Sequence, residues 1–110
     1  MAESAPHLSK IVVRYRQELA RLGIRISAVY VYGSYARGTQ TDDSDIDLIV
    51  VSPDFAGLNM LERLELLGVA AARILEPVQA YGLTPDEIKQ HTLSSFLAGI
   101  LEREAVPVAS

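Results

Sequence analysis

The chain has 110 residues, of which 49% are hydrophobic and 22% charged, with a formal net charge of −4 and no cysteine. These values describe a single globular domain, 1–110, and exclude disulfides, thiolate zinc sites and cysteine nucleophiles. The acidic balance also argues against direct non-specific nucleic-acid binding, which needs a basic surface. The opening "MAESAPHLSK" lacks a signal-peptide apolar core, and no apolar run approaches the ~18 residues that span a bilayer. A cytoplasmic location away from the membrane is therefore expected.

Leu8, Ile11, Val12, Tyr15, Leu19 and Leu22 fall at helical spacing, and Gly23 stands where a C-cap would. "RISAVYVY" (Arg25–Tyr32) is β-branched and aromatic, which predicts a strand covered on both faces. Gly33-Ser34 ends it, and "DIDLIVV" (Asp45–Val51) reads as the second strand, stopped at Ser52-Pro53. After a loop marked by Pro53, Gly57 and Asn59, a long helix is predicted over about Asn59–Leu75. Its expected inward positions are Leu61, Leu64, Ala71, Ile74 and Leu75, with Gly68 on the same face.

"PVQAYGL" (Pro77–Leu83) predicts a third strand. "TPDE" (Thr84–Glu87) then offers a Thr N-cap, a proline at the first helical position and a glutamate at the third. Leu93, Phe96, Leu97, Ile100 and Leu101 make an apolar stripe on a last helix, and Val106–Val108 adds a short terminal strand. Helix, strand, strand, helix, strand, helix is an α+β, or mixed α/β, layer arrangement.

The chemistry concentrates between the first two strands, in "YGSYARGTQTDDSDIDLIVV" (Tyr32–Val51). Side chains alternate along a strand, so Asp45 and Asp47 point the same way, roughly 7 Å apart, and can bracket a divalent ion. Oxygen ligands without a nearby His or Cys favour Mg²⁺ or Mn²⁺ over zinc. Gly33 lets a phosphate approach the backbone, where amides face an anion, and the Ser34 hydroxyl adds a donor. A phosphate cradle facing a metal-binding carboxylate pair is what phosphoryl or nucleotidyl transfer requires.

Gly33-Ser34, the "ARG" of Ala36–Gly38 and Ser44-Asp45-Ile46-Asp47-Leu48 resemble the signature of the DNA polymerase beta-like nucleotidyltransferase superfamily. The small size points to its minimal nucleotidyltransferase (MNT) branch, and "LTPDEI" and "SFLAGILERE" are also similar to that branch. The resemblance implies a nucleotidyltransferase fold, a mixed β-sheet with helices mainly on one face. It implies that Gly33 and Ser34 hold the triphosphate of a nucleotide, ATP foremost, and that Asp45 and Asp47 bind two Mg²⁺ ions. The implied reaction moves a nucleoside monophosphate to an acceptor hydroxyl with release of pyrophosphate. Many MNT proteins pair, as antitoxins, with a helical HEPN-domain protein, and some transfer AMP to a tyrosine of that partner.

Two positions depart from the pattern. Tyr35 stands where relatives often carry arginine, and Gln79, counted back from Thr84-Pro85, stands where the family usually has a third carboxylate. Glu76 is a tentative substitute that a bulge or register shift would have to re-aim. Arg37 reads either as a phosphate ligand or as a tie to Asp42 or Asp43, which are otherwise solvated loop charges. Tyr30 and Tyr32 read as core, His7 and His91 as isolated, and Thr39 and Thr41 as partners within the loop. Three functions stay open: a Mg²⁺-dependent nucleotidyltransferase, a catalytically weak module that neutralises a HEPN-type partner by contact, and a generic phosphate-binding domain.

Overall fold

The computed structural model describes residues 5–108; residues 1–4, the start of the polar leading stretch, and 109–110 lie outside them. Among the described residues the chain forms α1 (Ala5–Arg21), β1 (Ala28–Tyr32), α2 (Ser34–Arg37), β2 (Ile46–Val51), α3 (Met60–Ile74), β3 (Val78–Leu83), α4 (Pro85–Lys89), α5 (Ser95–Arg103) and β4 (Val106–Pro107). A short 3-10 turn at Pro53–Phe55 follows β2.

The four strands lie in the order β3-β2-β1-β4. β1 pairs antiparallel with β2 and with β4, whereas β2 and β3 run parallel, so the sheet is mixed as expected. Its two faces are covered unequally. Val29, Val31, Ile46, Leu48 and Val50 pack against Leu8, Val12 and Tyr15 of α1 and Leu67 and Ala70 of α3 in the main core. On the other face Ile49, Val51 and Leu83 meet Leu97 and Ile100 of α5, with Tyr30, Tyr32 and Tyr81 half-buried beside them. The two long helices thus share one face and the short α5 covers part of the other.

Helix α1 ends as its glycine predicts. Ile24 N–H donates to Leu19 O (2.9 Å) and Gly23 N–H to Ala20 O (3.0 Å), a Schellman closure with Gly23 at φ 91°. The first strand is shorter than expected. Over Arg25–Ser27 the backbone serves a corner instead, with Arg25 N–H bonded to Asp54 Oδ2 (2.8 Å) and Ser52 Oγ–H to Arg25 O (2.6 Å).

Helix α3 begins with the Asn59/Glu62 capping box and buries Ala71 and Ile74 as expected, but the rest of its inward face is turned from the one expected. Arg63, Leu67, Ala70, Ala71 and Ile74 point inward, while Leu61 and Leu64 are exposed, and so is Leu75 in the left-handed cap. Gly68 is exposed too; a Cβ added there would meet nothing within 4 Å. The cause is Arg63, a charged residue on the buried face. Its Nη1 and Nη2 fork onto Glu87 (2.8 and 3.0 Å), its Nε donates to Leu58 O (3.0 Å), and Nη1 also reaches Gly82 O (3.0 Å). All three nitrogens of the guanidinium are bonded, through four of its five N–H donors, as burial of a charge demands.

The segment after β3 also differs from one continuous last helix. The Thr84/Glu87 capping box starts α4, which stops at Lys89; His91 adopts φ 56°, and Ser94 caps a fresh helix by accepting from Leu97 N–H (3.3 Å). Phe96 of the expected stripe is exposed and meets the Tyr81 ring edge-on at 5.9 Å. No helix among the described residues is long and apolar enough to cross a membrane.

Candidate active site

The end of β1, all of α2 and the starts of β2 and β3 meet at one end of the sheet. Gly33 leaves β1 with φ 72° and ψ −148°, a conformation open essentially to glycine alone. A Cβ built there would run into Asp47 Oδ2 and lie 3.3 Å from Asp47 Cγ. The missing side chain therefore makes room first for the Asp47 carboxylate. From this corner α2 makes a single turn, with Ala36 and Arg37 N–H donating to Gly33 O (3.1 Å each). The first amides of the turn, at Ser34 and Tyr35, have no intrahelical acceptor.

The returning loop is tied by its own side chains. Thr41 N–H donates to Ser44 Oγ (2.8 Å), Ser44 N–H to Thr41 O (3.1 Å) and Asp43 N–H to Thr41 Oγ1 (3.3 Å). Asp42 and Asp43 stay exposed. Asp45 precedes β2 by one residue and is exposed, while Asp47, inside the strand, is half-buried. Ile46, Leu48 and Val50 turn into the main core, so Asp47 turns to the α5 face. Burial pushes the Asp47 carboxyl above its ordinary value, the Asp45 charge adds to that, Arg37 opposes it and Glu104 adds again. The two aspartates feel each other's charge, and a cation would relieve it.

Arg37 takes neither of its expected loop partners. Its Nη1 lies 3.3 Å from Oε1 of Glu104, which caps α5 and leads into β4. Sequence spacing gave no sign of Glu104, 67 positions away; the only hint was the expected terminal strand, which brings the end of α5 beside β1. Tyr32, the register partner of Asp47, is the second residue missed as part of the site. Burial pushes its phenol up to about 12, with Asp47, Tyr81 and Glu104 adding to the shift.

Parallel pairing sets Asp47 directly against Gln79, with both side chains on the same face. Glu76 is not brought to that face. It forms an ion pair with Arg14 of α1 (3.6 Å) and lines a cavity on the α1 side together with His7 and Tyr35. His91 is exposed, beside α5.

The donor set suits a hard divalent cation. Two carboxylates flank Ile46 at the start of β2, the charge of one acting on the other, and the backbone is pared back to a glycine beside Asp47. Among the described residues, no group of three or more His, Cys, Asp and Glu gathers to hold a metal unaided. Mg²⁺ is commonly bound by one or two carboxylates, with substrate phosphates completing the shell.

The profile of the nucleotidyltransferase domain family matches residues 12–98. The protein adenylyltransferase MntA of Thermococcus cleftensis is 32% identical over 103 residues, covering 92% of each chain. A candidate protein adenylyltransferase of Methanocaldococcus jannaschii is 33% identical over 58 residues, 53% of this chain and 58% of that one. Among solved structures, a toxin–antitoxin complex with AMP-PNP superposes with TM-score 0.61 at 23% identity, covering 93% of this chain and 73% of that chain. The complex of a tri-AMPylated Shewanella oneidensis HEPN toxin with its MNT antitoxin gives TM-score 0.54 at 17% identity, over 93% and 69%. These structures share the fold, and the profile spans both Gly33-Ser34 and the two aspartates. By profile, by a relative aligned along nearly its whole length and by fold, the chain belongs to the nucleotidyltransferase domain family.

Proposed function

We propose that the chain is a protein adenylyltransferase of the minimal nucleotidyltransferase type, moving AMP from ATP to a hydroxyl of a helical HEPN-type partner that it serves as antitoxin. The observation that carries this reading is the contact of Gly33 with Asp47, which sets exposed turn amides against a carboxylate pair. In the reaction the acceptor oxygen forms a bond to the α-phosphorus, the bond to the β-phosphate bridging oxygen breaks, and pyrophosphate leaves. The Ser34 hydroxyl and the turn amides bind phosphate oxygens, and Arg37, at the mouth, adds a cationic donor. Asp45 and Asp47 would hold the divalent ions, two Mg²⁺ or Mn²⁺, whose chemistry would be to neutralise the triphosphate and polarise the α-phosphate. Gln79 is neutral, so the acceptor's proton leaves to water. The reaction needs ATP, which places the pair in the cytoplasm.

A second reading rests on the register of Gln79 with Asp47. An amide in place of the third carboxylate favours a weak enzyme or a module that neutralises its partner by contact. Intact-mass measurement of the co-expressed partner, incubated with MgATP, separates the two. An AMP adduct that disappears with Asp45→Asn and Asp47→Asn supports transfer. A stable complex without adduct, gaining one on Gln79→Glu by about 10²–10³-fold in rate, supports the second. Efficient wild-type transfer that Glu76→Ala abolishes would instead make Glu76 the third carboxylate.

A further inference from the structure

Five of the eight large apolar side chains exposed among the described residues lie on α3 or its cap: Met60, Leu61, Leu64, Val69 and Leu75. Leu61, Leu64, Gly68, Ala72 and Leu75 recur every three or four positions, so they form a second stripe beside the buried face. Gly68 sits at its centre. A glycine in the middle of a helix is unfavourable, and a Cβ here would meet nothing within 4 Å, so the single chain gives no reason for it. Close approach of a second helix is such a reason.

The stripe borders the open edge of the sheet. β3 is the last strand on its side, and no proline or lysine interrupts Val78–Leu83. The opposite edge is guarded, because β4 is two residues long and one of them is Pro107. Between α3 and the β3 edge runs a groove of about 170 Å³, with Leu64, Leu67 and Gly68 on one side and Val78, Gln79 and Ala80 on the other. One wall of the protein thus combines an exposed apolar stripe with an unpaired strand edge, and both are features of an interface.

We propose that this wall pairs with the same wall of a second copy of the chain, as a two-fold dimer. The stripe is self-complementary about Gly68. An antiparallel mate turned about that residue sets Leu61 against the partner's Leu75, Leu64 against the partner's Ala72, and the two glycines against each other. The exposed charges match as well. Glu62 and Glu65 lie in the first half of the helix and Arg73 in the second, so the antiparallel mate sets acid beside base and opposes the two helix dipoles. Gly68 and Ala80 line the same groove, so the same axis pairs β3 antiparallel with its copy and joins the two sheets. A helix of 15 residues is about 22 Å long, and a helix layer on a strand layer stands about 20 Å high, so the two walls together hide roughly 900 Å² before side-chain relief is added. That is close to the ~1,000 Å² of a specific interface. The dimer stands on the fold alone and is independent of the adenylyltransferase reading.

Sedimentation of the full chain tests it. The wild type should run at twice the monomer mass at about 50 μM and dissociate on dilution. Leu64→Glu buries two carboxylates per dimer and should weaken association at least about a hundredfold. Gly68→Leu should weaken it at least about tenfold by pushing the helices apart, while keeping or raising the melting temperature of the dilute monomer. Val13→Glu, on the exposed side of α1, should leave association within about twofold. If Leu64→Glu misfolds by circular dichroism, Gly68→Leu decides. A wild type that is monomeric at that concentration would overturn the proposal. So would a dimer that the α3 variants leave intact, or one that Val13→Glu disrupts as readily as they do.

Discussion

Two of the arginine–glutamate pairs in this protein, Arg63–Glu87 and Arg37–Glu104, are opposites. Arg63 is buried to 6% side-chain exposure, forks onto Glu87 through two bonds and gives two further donors to backbone carbonyls. Arg37 and Glu104 are 59% and 43% exposed and touch through one 3.3 Å contact. The first joins α3 to the end of β3 and the start of α4; the second crosses the mouth of the site. Four bonds make Arg63 a fixed joint, whereas one exposed contact leaves Arg37 able, on the proposed function, to exchange its partner for a phosphate. The buried pair is closed, and the exposed pair is open.

The difference is broken most severely at Arg63. Arg63→Ala strands a glutamate and two carbonyls, and should destabilise the fold by roughly 3 kcal/mol, read from urea unfolding. Arg37→Ala should cost less than about 1 kcal/mol in the same measurement. Comparable losses from the two would erase the distinction.

Glycine gives the next test, because two glycines share a backbone constraint and differ in surroundings. Gly23 and Gly33 both have positive φ, but a Cβ at Gly23 meets nothing within 4 Å whereas one at Gly33 meets Asp47. Gly23→Ala and Gly33→Ala should each cost about 1–2 kcal/mol of stability in strain. MgATP should still raise the melting temperature of Gly23→Ala, by mass action on the folded state. That rise should vanish in Gly33→Ala, where Asp47 must swing aside. A full MgATP response in Gly33→Ala would mean the contact with Asp47 does not serve ligand binding.

The open site was more legible in the sequence than the closed joint. Gly33-Ser34 and Asp45-x-Asp47 lie within one short stretch of chain, so spacing could single them out together, and the structure sets Gly33 against Asp47 and Gln79 opposite it. The Arg63 joint is assembled from residues scattered over Leu58–Glu87. Hydrophobic periodicity treats an arginine as an outward residue, and that single charge rotated the expected face of α3 onto Leu61 and Leu64. Glu104 escaped notice for a similar reason: its approach to Arg37 depends on where α5 ends against β1. His91 broke the last helix by adopting the left-handed conformation, for which histidine carries only a weak signal.

Acidification should separate the two regions by sign. Glu87 is held below its ordinary value of 4.5, mainly by the Arg63 hydrogen bonds, so its stabilisation is present above that value and lost as pH falls through the folded one. Asp47 is raised above 3.8, chiefly by burial and then by Asp45, so its contribution is present below 3.8 and lost as pH rises through the folded value. Urea unfolding across the acid range should show Glu87→Gln weaker than wild type at neutral pH, with the gap closing on acidification. Asp47→Asn should be more stable than wild type at neutral pH, and its advantage should close on acidification. Parallel profiles for the two variants would contradict the assignment.

The smallest effect concerns what Glu104 does to ligand binding. It neutralises Arg37 and adds negative potential at Asp47, and both actions oppose an incoming triphosphate. Glu104→Gln should therefore strengthen Mg-ATP binding about two- to threefold, while Arg37→Gln should weaken it up to about fivefold, as expected of an exposed pair worth at most ~1 kcal/mol. Both changes should shrink as salt is raised, because the charges lie in solvent. In the double variant the Glu104 gain should disappear, since it acts largely by releasing Arg37. A persistent gain in the double variant, read by calorimetry at low salt, would show that Glu104 acts on the aspartates and not through the arginine.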